Sequence, residues 1–159
     1  MFSSNKPIIQ IAYAVENIIV AAENWSKRFN IGPFYYNEHI EVADSRINGI
    51  DKKFDHSSAY GWRENFMIEL IADHSKVNVH ENGIHHIAWI AENFDREAEE
   101  LIKQDCKEVL FARAGDRNGM RFSWFDPGRD IGHLYEIYDN NDSLKNFYSY
   151  VYKASLEWD

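Results

Sequence analysis

Four polar side chains stand inside stretches that otherwise read as buried strand. Gln10 lies in Ile8-Ile9-Gln10-Ile11-Ala12-Tyr13, Glu69 in Phe66-Met67-Ile68-Glu69-Leu70-Ile71, His86 in Ile84-His85-His86-Ile87-Ala88-Trp89, and Glu136 in His133-Leu134-Tyr135-Glu136-Ile137-Tyr138. A polar group within an apolar strand is costly unless a partner or an ion satisfies it. Two carboxylates, an imidazole and an amide oxygen form a mixed nitrogen and oxygen donor set suited to a divalent ion such as Zn, Ni, Co, Mn or Fe. Such an ion polarises a bound carbonyl and acidifies the proton on the adjacent carbon. Glu136 or Glu69 is then the candidate base. Each residue alone also has a plainer reading. Gln10 can be a hydrogen-bonded strand residue, His86 a satisfied core histidine, and either glutamate a strand-edge group facing water.

An internal repeat favours the joint reading. Displaced by 76 positions, Ile8 to Tyr13 lies over Ile84 to Trp89, Glu16-Asn17 over Glu92-Asn93, Ala22-Glu23 over Ala98-Glu99, and Lys27 over Lys103. Displaced by 67, Phe66 to Ile71 lies over His133 to Tyr138, so the second half has a shorter loop. Two matches in the same order point to duplication. They superimpose Gln10 on His86 and Glu69 on Glu136, and a pseudo-twofold would gather all four between the halves. The same register selects His86 over its neighbour His85. Strand alternation puts Gln10, Ala12 and Ala14 on one face, with His86, Ala88 and Ile90 on the equivalent one. Small residues beside the polar ones leave room for a cavity. Ile11, Tyr13, Ile87 and Trp89 then pack on helices.

The periodicities within each half predict an α+β fold of two tandem βαβββ modules, about residues 8–72 and 84–139, joined in one curved mixed sheet with a central cavity. Residues 1–159 read as a single domain. Asn17 is the expected cap of the first helix, with Val20, Ala21, Trp25 and Phe29 as its stripe; the helix stops at Asn30-Ile31-Gly32-Pro33. Asn93 or Asp95 caps the second, with Ala98, Leu101 and Ile102 inward. Strands follow near 34–42, 50–59 and 64–71, and near 109–113, 120–125 and 133–138, with turns at Asn118-Gly119 and Asp126-Pro127-Gly128. A third helix over about 142–157 carries Leu144, Phe147, Tyr148, Val151, Tyr152 and Leu156 at three- and four-residue spacing. It is expected to dock outside the sheet or on a second subunit of a homodimer. Tyr35, Tyr36, Tyr60, Trp62 and Trp124 are candidates to line a groove.

Composition narrows the partners. The 17 Lys and Arg against 26 Asp and Glu give a formal charge of −9, which repels nucleic acid and anionic lipid. Apolar runs are far too short to cross a bilayer. The opening Met1-Phe2-Ser3-Ser4-Asn5-Lys6-Pro7 lacks the build of a secretion signal. The single Cys106 suits a reducing compartment and reads as a small buried residue near the end of the second helix. A cytoplasmic protein acting on a small molecule is expected. His39, His56, His74, His80 and His133 have no metal-type repeat partner and read as surface or loop residues, with His133 a candidate outer partner of the site.

The order of Gln10-Ile11-Ala12-Tyr13-Ala14-Val15, Ile68-Glu69-Leu70, Gly83-Ile84-His85-His86-Ile87-Ala88, Phe125-Asp126-Pro127-Gly128 and Leu134-Tyr135-Glu136-Ile137-Tyr138 resembles the vicinal oxygen chelate superfamily, with its glyoxalase I, methylmalonyl-CoA epimerase, bleomycin-resistance and extradiol dioxygenase branches. The likeness spans about residues 8–139. It implies a metal held by Gln10, Glu69, His86 and Glu136, a set most like that of glyoxalase I. It also implies a lyase or isomerase that works through an enediolate on a substrate with vicinal oxygens or a thioester. The first helix and its turn depart from the glyoxalase and epimerase pattern: Asn24-Trp25 and Asn30-Ile31-Gly32-Pro33-Phe34 stand where Phe-Tyr and Leu-Gly are usual. That departure bears on the substrate pocket. Arg113, Arg117, Arg121 and Arg129 are the candidate basic patch for a CoA tail. A non-catalytic resistance-type binder is the alternative; a ring-cleaving dioxygenase fits less well, because Gln10 takes a histidine position.

Overall fold

The computed structural model of the chain describes residues 6–80 and 83–159. The expectation that Met1 to Pro7 is no secretion signal falls largely on residues 1–5, which lie outside those described. The elements are β1 (Gln10–Ala14), α1 (Ile18–Phe29), β2 (Tyr35–Asn37), β3 (Val42–Ile47), β4 (Ile50–Asp51), β5 (His56–Arg63) and β6 (Phe66–Asp73), then β7 (Ile84–Ile90), α2 (Phe94–Lys103), β8 (Lys107–Ala114), β9 (Arg121–Asp126), β10 (Leu134–Tyr138) and α3 (Asp142–Ser155). The strands form one mixed sheet in the order β2-β5-β6-β1-β7-β10-β9-β8-β3-β4.

The repeat is visible in the pairing. β1 runs parallel to β6, and β7 parallel to β10 in the same way. The modules join where β1 meets β7 antiparallel, with Gln10 opposite Ala88, Ile11 opposite Ile87 and Ala12 opposite His86. That register is symmetric about the Ile11–Ile87 pair, so Gln10 and His86 are placed equivalently. Glu69 lies beside Ala12 and Glu136 beside Ala88.

Helices α1 and α2 cover one face of the sheet. Tyr13 and Trp25 pack with Ile18, Ala22, Ile68 and Leu70 under α1. Trp89 packs with Phe94, Leu101, Phe125 and Ile137 under α2, where Cys106 is also buried. Asn17 caps α1 by accepting from the Ile19 and Val20 amides, Asn93 caps α2 through the Arg96 amide, and Asn30 ends α1 in the left-handed conformation (φ 52°). The stripes differ in part from expectation. Ile18 and Ala22 are the buried residues of α1, while Val20, Phe29 and, on α2, Ile102 are exposed. Among the described residues no helix is long and apolar enough to cross a membrane.

Two features differ from the sequence reading. The strand expected over 50–59 is two elements, because Asn48-Gly49, both at positive φ (51° and 76°), closes a hairpin between β3 and β4. That hairpin leaves its own module and pairs through β3 with β8 of the second. The third helix also docks elsewhere than on the outer, α1–α2 face. α3 packs on β5 and β6, and its Leu144, Tyr148 and Val151 join Ala12, Met67, Ala88 and Trp124 in the main core. Glu69 alternates with Ile68 and Leu70, so it lies on this same α3 face.

Candidate metal centre

Strand pairing brings all four predicted residues to one point beneath α3. Gln10 and His86 are fully buried, and Glu69 and Glu136 are 3% exposed. One donor atom from each of Glu69, His86 and Glu136 lies within 4.8 Å of the others. His86 Nε2 sits between the two carboxylates, 3.1 Å from Glu69 Oε2 and 3.3 Å from Glu136 Oε1. Gln10 Nε2 is 2.6 Å from Glu69 Oε2 and 3.5 Å from Glu136 Oε1.

Each glutamate shows the centre one oxygen and anchors the other. Ser58 Oγ donates to Glu69 Oε1 at 2.6 Å, and the Trp124 indole N–H donates to Glu136 Oε2. The Gln10 oxygen is held by the Tyr148 hydroxyl at 2.6 Å and the Tyr138 hydroxyl at 3.4 Å. Gln10 therefore turns its nitrogen inward, where two acceptors need a donor. A phenol can donate or accept, so the tyrosines can serve either end of the amide.

His86 is oriented from behind. β7 carries a bulge against β1: Ala12 pairs with His86 but Tyr13 with Ile84, leaving His85 as the extra residue. The bulge re-aims its side chain. His85 Nδ1 lies 2.8 Å from His86 Nδ1, and His85 Nε2 lies 3.2 Å from Asp73 Oδ2. Burial holds His85 below the usual histidine range despite Asp73 beside it, so it stays neutral. The Asp73 carboxylate only accepts; His85 Nε2 therefore carries the proton and its Nδ1 accepts from His86 Nδ1–H. This chain leaves His86 Nε2 facing the acids, the nitrogen a metal would take.

The electrostatics suit a cation. Burial opposes charge on His86, but Glu136 and Glu69 raise it to about 10. Burial likewise opposes ionisation of Glu69, yet His86 and the Ser58 hydroxyl hold its carboxyl below the ordinary range. Two buried carboxylates around one imidazole leave surplus negative charge where solvation is poor. The donor chemistry thus fits a divalent ion held by Glu69, His86 and Glu136, with Gln10 alongside.

The centre forms the floor of a cavity of about 620 Å³. Its walls include Tyr35, Tyr36, Tyr60 and Trp124 as expected, and Phe147, Tyr148 and Tyr138 besides. Trp62 stands away from this wall and packs its ring 5.4 Å from Tyr152 and 6.3 Å from Tyr148. Burial, with Glu69 and Glu136 nearby, pushes the Tyr60, Tyr138 and Tyr148 phenols well above their ordinary range, so they remain protonated donors.

Comparison with known families adds a match over residues 9–124 to the Glyoxalase/Bleomycin resistance protein/Dioxygenase superfamily model. The chain belongs to this superfamily. Solved structures agree on the superfamily fold. A methylmalonyl-CoA epimerase in complex with methylmalonyl-CoA and NH4+ has a TM-score of 0.53 at 16% identity, covering 87% of this chain and 97% of that one. The methylmalonyl-CoA epimerase of Mycobacterium tuberculosis has a TM-score of 0.55 at 17% identity, covering 92% and 96%. A hypothetical protein of Bacillus halodurans C-125 has a TM-score of 0.56 at 14% identity, covering 87% and 97%. A comparison with curated proteins finds no match. Identities this low carry the superfamily architecture and nothing finer.

The other sequence candidates fall away from the centre. Arg121 is engaged by Asp139 and Asp95, while Arg113 and Arg117 both reach Asp44. His133 hydrogen-bonds the Leu134 carbonyl and packs on Tyr135. Sequence reasoning missed His85 and Asp73, because simple alternation turns His85 to the opposite face, and it missed Tyr148 by placing α3 outside. The repeat itself held a signal for Tyr138, two residues after Glu136 on the same face.

Proposed function

We propose that this chain is a metal-dependent isomerase or lyase of the glyoxalase or epimerase type, moving a proton on the carbon next to a carbonyl of a small molecule. The observation that carries the reading is the pair of buried carboxylates, related by the internal symmetry, that each anchor one oxygen and direct the other to a shared centre. A divalent cation held by Glu69, His86 and Glu136, and by Gln10 with its amide turned to offer the oxygen, would supply polarisation of the substrate carbonyl. The chain supplies the proton movement. Glu136 Oε1 and Glu69 Oε2 approach from the two modules, so one takes the α-proton and the other returns one. Trp124 and Ser58 fix which oxygen of each does so. The buried phenols donate to substrate oxygens without competing as bases, and the aromatic wall keeps water from the deprotonated carbon.

The cavity volume lies within the usual range for small-molecule sites, roughly 300–1,000 Å³. Thioesters are the first class to test, because epimerase neighbours were solved with methylmalonyl-CoA or 2-nitronate-propionyl-CoA. Hemithioacetals follow from the Gln-Glu-His-Glu set. The carboxylates already beside Arg113, Arg117 and Arg121 favour a compact substrate over one recognised through phosphates. The test is elemental analysis of the purified protein, then exchange of the α-proton for solvent deuterium across such a panel. Exchange that stops on chelation and in Glu136→Gln is expected; equal exchange in the variant overturns the base role. A binder is the second reading, favoured by the aromatic lining, and it would keep its ligand affinity after chelation.

A further inference from the structure

Away from the central cavity the structure gathers another donor set from three separate segments. His39 lies in the loop after β2, Asp55 immediately before β5, and His74 immediately after β6. One ring nitrogen of each histidine and one oxygen of Asp55 lie within 4.8 Å of one another. We propose that His39, Asp55 and His74 form a second binding site for a divalent transition-metal ion, with zinc as the reference ion.

The donors converge because their backbones are tied together. The His39 amide donates to Ser57 Oγ at 2.9 Å, and the Ile40 amide to the His56 carbonyl at 2.8 Å, which pins the loop to β5. The Asp55 amide donates to Ser75 Oγ at 2.9 Å and the Ser75 amide returns to the Asp55 carbonyl at 3.2 Å, which pins the turn carrying His74 to the same strand. His39 itself holds a left-handed backbone (φ 47°), uncommon for a residue with a Cβ. Its Nδ1 lies 2.9 and 3.1 Å from the two Asp55 oxygens. The two imidazoles lie nearly parallel, with centroids 4.7 Å apart.

A shared serine also ties the two histidines together. Ser57 Oγ accepts from the His39 amide and also lies 2.9 Å from His74 Nε2, so one hydroxyl holds both histidines in place. A neutral imidazole presents a lone pair on one ring nitrogen, the form that binds a metal. Two imidazoles and a carboxylate leave coordination positions for water or an external ligand, the composition that suits Zn, Ni, Co or Fe over Ca or Mg. The His39 side chain is 69% exposed, so the ion has a direct path from solvent. Nothing in this site is shared with Glu69, His86 or Glu136.

The test titrates chelator-stripped full-length protein with zinc by calorimetry, in the wild type, His74→Ala, His39→Asn and Glu136→Gln. Asparagine keeps the left-handed backbone at position 39 accessible. The wild type is expected to bind two equivalents. His74→Ala and His39→Asn should weaken one of them at least ten-fold, while Glu136→Gln alters the other. Substoichiometric Cu²⁺ should broaden the His39 and His74 ring resonances first. Zinc binding that His74→Ala and His39→Asn leave untouched overturns this proposal and spares the central one. A single equivalent lost in His74→Ala but kept in Glu136→Gln supports it and overturns the central site instead. Retained thermal transitions in both histidine variants show that lost binding is not lost folding.

Discussion

The chain from Asp73 through His85 to His86 is open to a direct perturbation. His85→Phe keeps a ring against Trp124, whose centroid lies 4.6 Å from that of His85. It also leaves Asp73 Oδ2 its bond from the Asn78 amide. What it removes is the acceptor 2.8 Å from His86 Nδ1. A buried N–H left without a partner costs about 1–3 kcal/mol of stability. Loss of the outer partner of a ligating histidine lowers metal affinity about 10–100-fold, equivalent to about 1.4–2.8 kcal/mol of binding free energy. Urea denaturation of the stripped protein reads the first quantity, and zinc titration against a competing chelator reads the second. A His85→Phe protein that binds zinc at the central site as tightly as the wild type would refute the orientation argument.

Glu69→Gln keeps the shape of the side chain and its contact with Ser58; turnover on any substrate found should fall about 10²–10⁴-fold, the usual contribution of a positioned acid or base, measured by solvent deuterium exchange. Tyr148→Phe removes the hydroxyl from the Gln10 oxygen; it should cost about 0.5–1.5 kcal/mol in urea melts and raise KM, tying the C-terminal helix to the site, whereas unchanged KM separates them. Asp139 is bound by Arg121, with Arg113 contributing more weakly, and although burial opposes its charge the carboxyl is held below its ordinary range. A lowered folded pKa gives stability that is present at neutral pH and fades as pH falls below about 4. Asp139→Asn should therefore be less stable than the wild type near pH 7, the difference shrinking toward pH 3; a gap independent of pH would remove Asp139 from the acid response.

The sequence carried the centre further than the periphery. Gln10, Glu69, His86 and Glu136 were legible because the internal repeat gives each pair the same sequence context, and the β1–β7 register centred on Ile11 and Ile87 places them equivalently. The face assignments of Tyr13 and Trp89 followed from strict alternation. His85 did not, because one extra residue in β7 breaks that alternation, and a bulge depends on the partner strand. Asn48-Gly49 is a strong hairpin signal between two segments read as strands, but β3, the strand it turns, pairs with β8 some sixty residues away in the other module. The placement of α3 was hidden for a similar reason. Its spacing shows an apolar stripe, and only the sheet's open face shows that Tyr148 reaches Gln10. The His39, Asp55 and His74 grouping has no repeat counterpart at all.

The excursion of β3 and β4 across the molecule makes the second half depend on the first for its outer edge. A polypeptide beginning at residue 83 would retain every element of its own half, yet the outer rim of β8 would present bare amides and carbonyls in a row. Such a rim recruits any extended segment that meets it. That fragment should therefore associate with itself on sizing columns, and a version carrying a proline at Phe111 should not. The later half thus has its outer strand covered only by a hairpin that the earlier half lends it.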